Sequence, residues 1–155
     1  MADITDRRFD DVYAATPTLD TSALADNDVA SDTLEVPYFF LSANSTRVLQ
    51  NLIVVDVDDQ GVGFDLFLMN SNVSLGTKNS APSISDADAV SIIGRVSVSA
   101  GDYVDLGGCR VADITPIGKV LKGGGVSTSL WLSLVTRSGT PTYTAAGLKL
   151  KLGVI

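Results

Sequence analysis

The stretch Asp56-Val57-Asp58-Asp59-Gln60-Gly61 places acidic side chains at its first and third positions and glycine at its sixth, the opening of a calcium-binding loop. Such a loop closes on a bidentate glutamate at its twelfth position. Here that position is Phe67, and the flanks read as strands where an EF-hand has helices. A hairpin turn suits these residues better. Lys122-Gly123-Gly124-Gly125-Val126-Ser127-Thr128 invites comparison with a phosphate loop, but its lysine precedes the glycines and no βαβ unit surrounds it. A flexible inter-strand loop is expected there. Asp86 and Asp88, with Asp102 and Asp105, could pair as acid and base; their spacing gives no reason to meet, and turn or capping roles explain each locally.

The 155 residues include no histidine, which removes the usual general base near neutral pH and the commonest nitrogen ligand for transition metals. The one cysteine, Cys109, has no histidine to activate it and no second thiol to pair with. No catalytic, cofactor-binding or metal-ligating residue is assigned, and an enzyme is not expected. With 11 basic and 18 acidic residues the net charge is −7, which argues against nucleic acid as a partner. No apolar run reaches the roughly 18 residues of a membrane span, so no membrane partner is expected. The first residues carry neither a basic nor an apolar export region, so secretion is not expected either.

The elements are strands. Leu148, Leu150, Leu152 and Val154 alternate with Lys149 and Lys151, the period-two mark of a strand with one buried and one wet face. Leu130 to Arg137 forms a second such segment, and the Ser138–Gly147 loop joins the two. Further strands are predicted at Leu34–Phe40, Arg47–Val57, Gly63–Met69, Arg95–Ser99, Tyr103–Leu106, Arg110–Thr115 and Lys119–Leu121, with Arg47–Val57 and Gly63–Met69 as an antiparallel hairpin. Ser85 and Asp88 have helix-start spacing, and Ala87 to Ile93 is predicted as one short helix closed at Gly94. The expected fold is all-β: a single-domain antiparallel β-sandwich, jelly-roll-like, over residues 33–155.

Residues 1–32 differ, with many aspartates among Ala, Thr and Ser and few apolar anchors. They are expected to form an extended N-terminal arm, ordered where Phe9, Val12 and Tyr13 find a groove. Those three, together with Trp131 and Tyr143, are the candidate partner-binding residues, as aromatic and aliphatic anchors.

The blocks Val48-Leu49-Gln50-Asn51-Leu52-Ile53-Val54-Val55-Asp56, Phe64-Asp65-Leu66-Phe67-Leu68, Asn79 to Ala89, Ser129-Leu130-Trp131-Leu132 and Thr136 to Tyr143 resemble those of small β-rich virion structural proteins of tailed bacteriophages. The likeness spans roughly Val48 to Ile155 and carries no functional-residue motif. It implies a capsid decoration (cement) protein on the outer surface of the head shell. The major capsid protein would then be the partner, the chain would work as a homo-oligomer, trimer favoured, and assembly would take place in the bacterial host cytoplasm. A tail, neck or baseplate protein of the same virion is the alternative. From another class, a carbohydrate- or cation-binding β-sandwich would use Trp131, Tyr143 and the Asp56–Asp59 turn. The Ser138–Gly147 loop is where a neighbouring subunit or the shell is expected to be touched.

Overall fold

Alternation of buried and exposed side chains along β3 (Thr46–Asp56) and β10 (Leu148–Val154) gives the molecule its plan. Leu49, Leu52 and Val54 of β3 and Leu148, Leu150 and Leu152 of β10 point inward, where they meet Phe64, Leu66 and Leu68 of β4 (Gly63–Met69) and Leu130, Leu132 and Leu134 of β9 (Leu130–Arg137). The structure is a computed structural model and describes residues 11–155.

Its strands form two antiparallel sheets. The six-stranded sheet runs β1 (Val12–Ala15), β10, β3, β7 (Arg110–Ile114) and β6 (Tyr103–Asp105), with β8 (Lys119–Lys122) also on β3; the four-stranded sheet runs β2 (Leu34–Val36), β9, β4 and β5 (Ile92–Val98). The apolar layer between them makes a β-sandwich. Its strand order does not establish jelly-roll connectivity.

β3 and β4 do not form the expected hairpin. β3 pairs with β10, β7 and β8, β4 pairs with β5 and β9, and the Asp56–Gly61 turn carries the chain from one sheet to the other. The Ser138–Gly147 loop makes the same kind of crossing between β9 and β10. The predicted helix shrinks to α1 (Asp86–Ala89), capped by the Ser85 hydroxyl, and Ile92 and Ile93 enter β5. Pairing with Met69 and its neighbours on β4 satisfies their backbone in a ladder, and this overrides a weak local helix signal.

The described part of the expected arm, residues 11–32, lies in the body of the sandwich. β1 pairs with β10, while Leu19, Leu24, Val29 and Ala30 are buried. Asn27 to Ser31 runs on from β2 along β9, bonded through Ala30 N to Leu134 O and Thr136 N to Asp28 O. A segment too poor in apolar residues to make its own core completes that of the two sheets.

The outer faces of the sheets differ. On the four-stranded sheet Met69 and Val135 form a second apolar layer with Val29 and Leu75, flanked by Phe67, Val73, Ile84, Ile92 and Trp131, much of it supplied by the long β4–α1 connection. The six-stranded sheet has no such cover among the described residues; Val104 and Val120 on its outer side are 62% and 64% exposed.

Candidate functional site

The chemistry-bearing side chains gather in three places, and in each the chain binds itself. At one end of the sandwich the Asp56 carboxylate is fully buried and accepts from the backbone N–H of Asp58 (3.1 Å) and of Gly61 (2.7 Å). Asp58 accepts from Thr144 N at 2.7 Å and also from the Thr144 hydroxyl. Asp59 accepts a hydrogen bond from Arg110 Nε at 2.6 Å, and Arg110 leans on Asp105 as well. Gly147 makes this possible, because a Cβ there would run into the Asp58 carboxylate. The turn that resembles a calcium loop is therefore a clasp fixing the β9–β10 loop. Among the described residues no group of three or more His, Cys, Asp or Glu could hold a metal ion.

Tyr103 and Tyr143 lie buried beside this clasp. Burial, reinforced by the Asp56 carboxylate, pushes both phenols well above their ordinary value of 10.0. Tyr103 donates to the Val62 carbonyl at 3.3 Å.

The second place is Arg47, buried inside the six-stranded sheet near the β1 edge. Its guanidinium donates to the Tyr13 hydroxyl (3.1 Å), the Phe39 carbonyl (3.0 Å) and Asp11 Oδ1 (3.2 Å), and it lies over the rings of Tyr13 and Phe39. Tyr13 in turn donates to the Tyr38 carbonyl at 2.7 Å. A groove of about 390 Å³ opens here between Val12–Thr16 and Leu34–Tyr38.

The third is Asp65, on the outer side of β4. It accepts from the Ser97 hydroxyl (2.6 Å) and Arg137 Nε (2.8 Å), with Arg95 Nη1 at 3.5 Å. Burial acts to raise its pKa, but the Ser97 and Arg137 hydrogen bonds and the two guanidinium charges together hold the carboxyl below its ordinary value.

These positions scatter the sequence-predicted contact residues. Val12 is exposed at the groove, whereas Tyr13 is buried and bonded, so the groove it enters belongs to its own sandwich. Trp131 is half-buried against the outer layer of the four-stranded sheet. Tyr143 is buried beneath its own loop; its aromatic ring is not displayed to a neighbour, because the Asp58–Thr144 bonds draw that loop down onto the turn. Phe9 lies outside the described residues.

What the sequence did not point to is a displayed loop pair. Residues 38–45 and 123–128 are bonded through Phe40 N to Thr128 O, Asn44 N to Gly124 O and Gly123 N to Ser45 O. Leu41 (59%) and Val126 (98%) stand out from it; Leu41 closes the run Tyr38-Phe39-Phe40-Leu41 and Val126 follows three glycines, so no alternating pattern marks either as exposed. No family model matches the sequence, and neither the curated proteins nor the solved structures compared with it include a match.

Proposed function

We propose that this protein is a structural component of a phage virion, a capsid decoration protein that seats on the outer surface of the head shell through contacts with the major capsid protein. The sequence resemblance suggests the setting. The observation that favours a docking role is the tied pair of loops carrying Leu41 and Val126: apolar side chains held out in water on a segment that backbone bonds keep in shape. Backbone bonds at Phe40, Asn44, Gly123 and Thr128 hold the flanks of both loops before binding, which lowers the entropy cost of contact. The carboxylate and guanidinium clusters are consumed by bonds that fasten loops to strands, as a scaffold under load requires. Many copies on a symmetric shell make a modest contact sufficient through avidity.

Mixing purified protein with undecorated capsids and counting bound copies per particle tests this. Saturable binding that falls in a Leu41→Asp/Val126→Asp variant is the expected result. No saturable binding to the shell overturns it, and density located at the tail or neck in a virion reconstruction moves the protein to the alternative site.

A further inference from the structure

The bare face of the six-stranded sheet has a pattern of its own. Strand register aligns its outward side chains in rows across the sheet. One row reads Ala14, Lys151, Ile53, Asp113, and the next reads Lys149, Val55, Val111, Val104. Beyond the β3 irregularity a third row holds Ile155, bonded to Val48, and Val120. Between the first and third rows lie Val12, Gly153 and Asn51, so an aliphatic band broken by Asn51 follows β3, with cations on its β10 side and Asp113 on its β7 side. Lys149, Lys151 and Asp113 are exposed, and none takes part in an ion pair among the described residues, in contrast to Arg47, Arg95, Arg110 and Arg137.

We propose that this face is a self-association surface on which a second copy of the chain docks about a two-fold axis running close to β3, pairing Lys151 of each copy with Asp113 of the other. The geometry follows from the register. Lys151 and Asp113 stand one strand to either side of Ile53 in a single row. A two-fold along the middle strand exchanges the two sides, so each lysine lands opposite the partner's aspartate and the two Ile53 side chains meet on the axis. The same operation lays the aliphatic stem of Lys149 over the partner's Val111 and Ile155 over its Val120. Like charges are kept apart throughout. A two-fold interface is isologous, so one patch must complement itself, and this row does. Sheets stacked face to face approach to roughly 10 Å, which the Val and Ile side chains span. The proposal does not rest on the virion reading.

Sedimentation velocity over a concentration series tests it. The wild type is expected to form a dimer that weakens with salt. Lys151→Asp and Asp113→Lys each place like charges together twice per dimer and should raise the dissociation constant by about tenfold or more. The double variant Lys151→Asp/Asp113→Lys restores the pairing in reverse and should return toward wild type. Val120→Asp, at an exposed position away from the charge pair, should also weaken the dimer, and circular dichroism melts check that each variant folds. A wild type that stays monomeric at its highest soluble concentration overturns the proposal. So does an oligomer indifferent to the single reversals, or one that the charge swap fails to restore.

Discussion

Arg137 reaches diagonally across the four-stranded sheet to Asp65. The register sets Arg137 opposite Gly63, and its Nε–H donates to Asp65 Oδ2, two residues along β4, at 2.8 Å. A Cβ at Gly63 would come within 2.7 Å of the Val98 carbonyl, so this glycine allows the close approach of β5 beside the ion pair.

Replacing Asp65 by Ala leaves Arg137 and Ser97 without their acceptor and is expected to cost about 2 kcal/mol in urea denaturation at neutral pH. Because the folded pKa of Asp65 lies below its ordinary 3.8, its contribution is complete above that value and is lost as pH falls through the lower folded pKa. The gap between wild type and Asp65→Ala should therefore close only in acid, below about pH 3.8.

Arg47 joins three chain segments from inside the core. Arg47→Met fills much of the volume but leaves the Phe39 carbonyl and the Asp11 carboxylate without that donor, and a loss of about 3 kcal/mol is expected. The same denaturation series on Arg47→Lys should show an intermediate loss, since a single ammonium cannot reproduce the guanidinium fork.

Tyr103 and Tyr143 set an alkaline limit. Their folded pKa values are raised, so their contribution is fully present below the ordinary value of 10.0 and declines as pH rises above it, where the unfolded chain ionises first. Melting temperature should fall above about pH 10, and less steeply in Tyr143→Phe. Phenolate absorbance from these two residues should appear together with unfolding.

Gly63→Ala forces the new methyl against the Val98 carbonyl, part of a ladder that cannot simply swing aside. A destabilisation of about 1–3 kcal/mol is expected, read as a lower urea midpoint with an unchanged slope.

Much of this architecture is legible in the sequence. Gly63–Met69 and Leu130–Arg137 appear as predicted, because alternation and flanking turn residues mark a strand without reference to its neighbours. Which strand lies beside which is another matter. The Asp56–Gly61 turn looks like a hairpin in isolation, and only the two-sheet core explains why β3 turns away from β4. Ile92 and Ile93 suit a helix or a strand equally, and pairing with β4 decides between them. The burial of Leu19, Leu24 and Val29 was illegible for a related reason: each is a lone large aliphatic among aspartates, threonines, serines and alanines, and its burial depends on surfaces built elsewhere in the chain. Tyr143 could be recognised as an anchor, but not that its own loop would cover it.

β10 lies between β1 and β3, joining one of the earliest described segments to the last. The wide sheet therefore has no local nucleus along its middle. β1 has only β10 to pair with, and β3 gains its β10 partner from across most of the chain. Closing such distant segments costs loop entropy before any contact repays it, which places folding in the slow range of all-β domains, about milliseconds to seconds. Until Leu148–Val154 arrives, the inward leucines of β3 lack their neighbours on that side. The closing strand thus sets the time during which the half-built sandwich can meet others of its kind.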